Sequence, residues 1–176
     1  KQDIVLVLSY TKILNNKFLK ENKLVLIAHP SNLPKDRGFA PVQNQILKNK
    51  KKIFFSLIKA EKKVDSGPIC LKIPFYLNGL ELYEDMRKKQ GDAVVNLIQK
   101  FLVKYPKINF SPQIGKPNFN KKRKNTDYEI SFYKSIRSQF NILRISNNDN
   151  YPAYFKYKNQ KFVLKIYKEK KDNIKV

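Results

Sequence analysis

Apolar positions fall along this chain in short blocks, each about the size of one secondary-structure element. Residues 3–9 (Asp3-Ile-Val-Leu-Val-Leu-Ser9) form a continuous apolar run, the pattern of a strand covered on both faces in a parallel sheet. A short amphipathic segment over 14–21 leads to a second apolar run over 24–28, so the opening reads as a βαβ unit. The character changes at His29-Pro-Ser-Asn-Leu-Pro-Lys-Asp-Arg-Gly38, where two prolines and a glycine end the strand. Residues 41–47 read as a helix with Pro41 in its first turn. Residues 52–60 and 68–75 read as two further strands, with the turn-rich Val64-Asp65-Ser66-Gly67 before the second.

Asn78 is placed to cap a helical stretch reaching about Val103, with Leu80, Tyr83 and Met86 in one stripe and Val94, Val95, Ile98, Phe101 and Leu102 continuing it. Gly91 is a candidate bend. Residues 105–126 carry Pro106, Pro112, Gly115, Pro117 and the cluster Lys121-Lys122-Arg123-Lys124, a composition that reads as an extended, solvated linker. Residues 131–145 have helical spacing. Residues 153–158 and 161–167 alternate aromatic and β-branched residues with lysine around Asn159-Gln160, which predicts a closing hairpin. The division expected is 1–105 for the main domain, 106–127 for the linker and 128–176 for a small α+β module.

Composition changes this picture little. Lys and Arg total 37 against 14 Asp and Glu, for a net charge of +23. That excess suits phosphate contacts, but only five of the cations are Arg, the residue whose planar fork reads phosphate and base edges. A chain rich in Lys, Asn and Ile and poor in Gly also follows from codon bias toward A and T, and the charge reads mainly that way. The hydrophobic share of 41% excludes a disordered basic tail, and the apolar runs are too short to span a membrane. One cysteine, Cys70, excludes an internal disulfide framework and a cysteine-built zinc site. No metal is expected, and a reducing cytoplasm fits best.

The candidate chemistry gathers at strand ends. His29, the only histidine, directly follows an apolar strand, and ligands of open α/β sheets bind beyond such ends. Asp65 lies in a second loop, where a parallel sheet would bring it close. A His with a nearby carboxylate is a workable acid–base pair.

On these residues the chain resembles the folate-dependent formyltransferase family, whose pattern is a strand, Asn-x-His-x-Ser-x-Leu-Pro, Arg-Gly-x-x-Pro, and later Asp-x-Gly. Here it stands as His29-Pro-Ser-Asn-Leu-Pro-Lys-Asp-Arg-Gly-Phe-Ala-Pro-Val-Gln43 and Glu61-Lys-Lys-Val-Asp-Ser-Gly-Pro-Ile69. Val7–Leu14 resembles the strand and turn lining the family's folate pocket. Pro117–Thr126, Phe140-Asn-Ile-Leu-Arg144 and Tyr151-Pro-Ala-Tyr154 resemble the tail of the sugar-nucleotide members.

The resemblance implies an open Rossmann-like α/β sheet followed by a small helix-plus-hairpin module. It implies formyl transfer from 10-formyltetrahydrofolate to the primary amine of an amino sugar, nucleotide-linked as in the sugar-nucleotide members and serving lipopolysaccharide synthesis. A tail of about 50 residues after the linker, enough for a helix and hairpin but tight for the full barrel of the tRNA-specific members, favours that acceptor. Methionyl-tRNA is the alternative acceptor, and an inactive or truncated relative the third reading. No membrane partner is implied, and a homodimer stays open. By the same resemblance His29 polarises the formyl oxygen and Asp65 orients it. Tyr10, Ile13, Leu14, Glu61 and Val64 hold the pterin, and Ser31, Leu33 and Pro34 shape the loop at the cofactor.

Two departures follow. The family Asn falls at Ile27, which donates no hydrogen bond, and loss of one such donor costs roughly 100- to 1,000-fold in rate. Asn32 is the candidate substitute within the loop; otherwise the site works without the Asn or is inactive. A family member also starts with a strand–helix–strand segment that is not seen here, so the expectation is the C-terminal part of a longer protein.

Overall fold

The computed structural model describes residues 1–169; positions 170–176 of the expected C-terminal module lie outside the described residues. A four-stranded open sheet carries the fold in the order β1 (Ile4–Leu8), β2 (Leu24–His29), β4 (Lys52–Lys59), β5 (Ile69–Tyr76). Helix α1 (Asn16–Glu21) joins the first two, capped by Asn15, whose side chain accepts the Phe18 N–H. β1 and β2 are parallel, as expected, but β4 is antiparallel to both β2 and β5. The sheet is therefore mixed. An apolar run fixes burial and leaves direction open; here the chain re-enters beside His29, which pairs with Ser56, so β4 runs back along β2. β1 is half-buried from Ile4 to Val7 and exposed at Leu8 rather than covered on both faces, because β2 is its one sheet neighbour among the described residues.

β5 alternates buried Ile73 and Phe75 with exposed Lys72, Pro74 and Tyr76, the period of a strand with one wet face. Pro74 is tolerated because β5 is an edge, where a missing N–H costs no ladder bond. Helix α3 (Tyr83–Lys104) lays Met86, Ala93, Leu97 and Phe101 against Ile53, Phe55, Leu57, Ile73 and Phe75. Each fully buried side chain of this size contributes roughly 2 kcal/mol. Helix α2 (Pro41–Leu47) adds Val42 and Ile46 to the same core.

Asn78 does not cap α3. It closes a turn by accepting the Leu80 N–H, and the helix starts five residues later, where Asp85 accepts the Leu82 N–H. Gly91 does not divide α3, which is continuous from Tyr83 to Lys104.

Beyond α3, segment 106–127 has little regular structure and is mostly exposed, yet it touches the sheet loops at a few points. β6 (Phe119–Asn120) pairs in parallel with β3 (Arg37–Gly38), and Ser111 bridges Ile69. Helix α4 (Ile136–Ile145), shorter than the 131–145 expected, begins where Ser135 accepts the Ser138 N–H. The hairpin β7 (Ala153–Tyr157) and β8 (Gln160–Leu164) turns at Lys158-Asn159, one residue earlier than expected. Both turn residues have positive φ (45° and 61°), as a right-twisted two-residue hairpin requires.

A buried ion network fastens α4 to the start of α3. Arg144 Nε donates to the Glu81 carbonyl (2.9 Å), Arg144 Nη2 sits 3.3 Å from Glu81 Oε2, and Lys89 Nζ sits 2.6 Å from Oε1. Burial pushes the Glu81 carboxyl up, but Lys89 and main-chain N–H groups including those of Asn78 and Gly79 outweigh it and hold it at about 2. A carboxyl depressed in the fold stabilises it above the ordinary value of 4.5 and loses that contribution as pH falls toward about 2. Thermal unfolding followed from pH 5 to pH 2 is expected to reveal a loss on the order of 3 kcal/mol attributable to this group. Glu81→Gln should flatten that portion of the pH dependence.

Candidate active site

β2 ends on His29, and the chain then turns through Pro30–Asp36 before pairing with β6. Four anchors hold this turn. Ser31 Oγ donates to the Lys35 carbonyl (2.6 Å), and Ser56 Oγ, from β4, donates to the Ser31 carbonyl (2.7 Å). Gln45 Nε2 donates to the Pro30 carbonyl (3.0 Å) and Lys72 Nζ to the Leu33 carbonyl (2.8 Å). Leu33 seals the turn from inside at 2% exposure.

His29 is buried, and so is Asp65. His29 Nδ1 stands 3.4 Å from Asp65 Oδ2, and the same oxygen accepts the Gly38 N–H at 2.8 Å. The opposite ring nitrogen, Nε2, lies 2.9 Å from the Asp36 carbonyl. A carbonyl only accepts, so this contact assigns a proton to Nε2; in the neutral ring Nδ1 then presents its lone pair toward the carboxylate, and in the imidazolium it donates to it.

Backbone strain concentrates here. Ser9, Asp36, Ala40 and Asp65 are all non-glycine residues at positive φ, between 44° and 57°, a conformation costing about 1–3 kcal/mol each and typical of functional sites. Gly38 is required twice over: φ is +86°, and a Cβ would stand 2.7 Å from the Asn120 carbonyl oxygen.

A cavity of about 620 Å³ opens from this pair, within the range for small-molecule sites. His29, Asp65, Gly38 and Ile27 line it, together with the 9–14 loop, Glu61, Lys62 and Val64. Of the residues singled out in the sequence, Tyr10, Ile13, Leu14, Glu61 and Val64 therefore meet His29 and Asp65 at one cavity. Ser31, Leu33 and Pro34 do not line it; they build the turn behind His29. Asn32 is also outside. Its side chain points away and accepts from Lys72 Nζ (2.9 Å), so it supplies no donor to the cavity. Ile27 does face the cavity, one strand repeat before His29 and on the same face.

The sequence reading missed the wall supplied by α3: Arg87, Gln90, Gly91, Val94 and Val95. Their spacing of three and four was available as a second helix face beside the core stripe. Gly91 has nothing within 4 Å of an added Cβ, consistent with its place beside open space. The reading also missed Gln113. Arg37 Nη2 donates to its Oε1 (2.7 Å), while its Nε2 donates to the carbonyls of Asp65 and Gly67 (both 2.8 Å). No spacing signal pointed to it.

An open α/β sheet with a buried His–carboxylate pair at a deep cavity defines a class in which small-molecule chemistry occurs beyond a strand end. The chain belongs to the formyl transferase family, whose profile, described as Formyl transferase, matches residues 1–99. It is 31% identical over 144 residues to methionyl-tRNA formyltransferase of Thermosipho melanesiensis, covering 82% of this chain and 47% of that protein. The chain thus spans about half the length of the curated relatives it matches. Its fold is similar to a 4-N formyltransferase from Francisella tularensis, with a TM-score of 0.78 and 20% identity over 96% of this chain and 72% of that one. It is also similar to HypX from Aquifex aeolicus, solved in complex with tetrahydrofolic acid, with a TM-score of 0.75 and 15% identity over 93% of this chain and 29% of that one.

Proposed function

We propose that the protein carrying this chain transfers the formyl group of 10-formyltetrahydrofolate to the primary amine of a nucleotide-linked amino sugar. The observation that carries the reading is the His29–Asp65 pair, 3.4 Å apart and buried at one cavity, in a chain of the formyl transferase family.

The residues present fit a folate. The cavity is large enough for a fused ring system, with apolar walls from Val7, Ile27, Val42, Val64 and Val94. The 9–14 and 61–64 loops would hold the ring and offer main-chain polar groups, and Lys12, Lys62 and Arg87 add positive charge suited to carboxylates. When bound, the cosubstrate supplies a formyl carbon attached to nitrogen. His29 Nδ1 and Asp65 Oδ2 are two acceptors facing each other, so a proton placed between them is held by both. An amine attacking the formyl carbon would shed a proton while the bond from that carbon to the folate nitrogen breaks, and this pair is placed to take the proton and return it to the departing nitrogen. The Gly38 N–H keeps Asp65 turned toward His29. Ile27 contributes shape and no hydrogen bond.

The resemblance of 117–126, 140–144 and 151–154 to sugar-nucleotide members supports a sugar acceptor. Methionyl-tRNA is the second reading, favoured by the named sequence relative and by the lysine excess. Competition separates them: the protein is incubated with a fixed formyl donor and either a nucleotide-linked 4-amino sugar or charged initiator tRNA. The sugar is expected to be formylated at a rate insensitive to moderate salt. Transfer to tRNA alone, falling steeply with salt, would replace the acceptor.

A further inference from the structure

The tail segment beyond residue 99, outside the matched family profile, reaches the imidazole through the main chain. Asn118 grips Asp36 from both sides: its Oδ1 accepts the Asp36 N–H (3.0 Å) and its Nδ2 lies 3.4 Å from Asp36 Oδ1. The Asn118 carbonyl accepts the N–H of the next residue, Arg37 (3.0 Å). Asp36 is 2% exposed at φ 57°, and its carboxylate is paired with Lys48 (2.8 Å) and Lys50 (3.4 Å). Its carbonyl is thereby fixed, and that carbonyl receives His29 Nε2–H.

We infer that Asn118 is a positioning residue: by fixing the Asp36 carbonyl it holds His29 as the Nε2–H tautomer, with Nδ1 left free to face Asp65. The alternative tautomer would place a proton on Nδ1, tie it to Asp65 at 3.4 Å and leave the Asp36 carbonyl without its donor. A ring that already donates from Nδ1 has no lone pair there for the acceptor amine's proton. The consequence for catalysis rests on the formyl-transfer reading, whereas the tautomer itself does not.

The test is 15N imidazole NMR on the protein carrying the chain, at a pH where the ring is neutral, with His29→Gln assigning the signal. Wild type is expected to give the Nε2–H pattern. Asn118→Ala, a half-buried position that keeps its main-chain bond to Arg37, is expected to give a mixture of tautomers. Its kcat should fall roughly 10- to 100-fold, by analogy with removing the outer hydrogen-bond partner of a metal-bound imidazole, with KM little changed. An Nδ1–H pattern in wild type overturns the inference. So does an Asn118→Ala protein with the wild-type pattern and wild-type kcat. If the tautomer responds while no formyl transfer is found in wild type, the positioning role stands and the proposed function fails.

Discussion

Replacing His29 by alanine is expected to lower kcat for formyl transfer by roughly 100- to 10,000-fold, the usual worth of a positioned acid–base group. The expectation follows from the geometry. His29 is the only imidazole in the chain, and its Nδ1 is the ring nitrogen not consumed by the Asp36 carbonyl. KM for the formyl donor should change much less, because the 9–14 loop, the 61–64 loop and the α3 wall also line the cavity. Asp65→Asn should show a smaller loss than Asp65→Ala, since an amide oxygen still accepts the Gly38 N–H while the negative charge is gone. Initial rates, with circular dichroism to confirm folding, check both. A His29→Ala protein with native spectrum and unchanged kcat would mean that the pair is structural.

Ile27→Asn is expected to raise kcat, by up to roughly 100-fold, the effect of a single donor aimed at a developing oxyanion. Ile27 lies on β2 two residues before His29 and faces the same cavity. Asn32, the donor suggested by the loop sequence, is turned outward onto Lys72. The gain has a cost. Ile27 is a half-buried strand residue, and exchanging it for a polar amide should destabilise the fold by about 1 kcal/mol, seen as a lower Tm. A rate that falls with the substitution would show that the cavity depends on an apolar wall at this position.

The His29 loop was legible in the sequence because its signals are local. A strand end, two prolines, Arg37-Gly38 and Asp65 stand close together in the chain, and each has its own backbone reason. Gly38 shows this well, since both its positive φ and its contact with Asn120 exclude a side chain. Strand direction was not legible, because Lys52–Lys59 has the same apolar pattern whichever way it runs. The pairing of His29 with Ser56 decides it. Asn32 was misplaced for a related reason. Residue type names a donor, but the direction of its side chain depends on Leu33 filling the turn and on Lys72 waiting outside it. Segment 106–127 carried only turn and charge signals. Its contribution comes from Gln113 and Asn118 bonding to residues 46 to 82 positions away, and no local pattern encodes such contacts.

The central claim is that a His29–Asp65 pair at this cavity supports formyl transfer to an amine. The most direct measurement follows a formyl-labelled 10-formyltetrahydrofolate through a single turnover with the intact protein and an excess of amine acceptor. The account predicts label in a new amide on the acceptor, appearing at least 100-fold more slowly with His29→Ala. Label that stays on the donor, or leaves it only as formate at the same rate in both proteins, would contradict it.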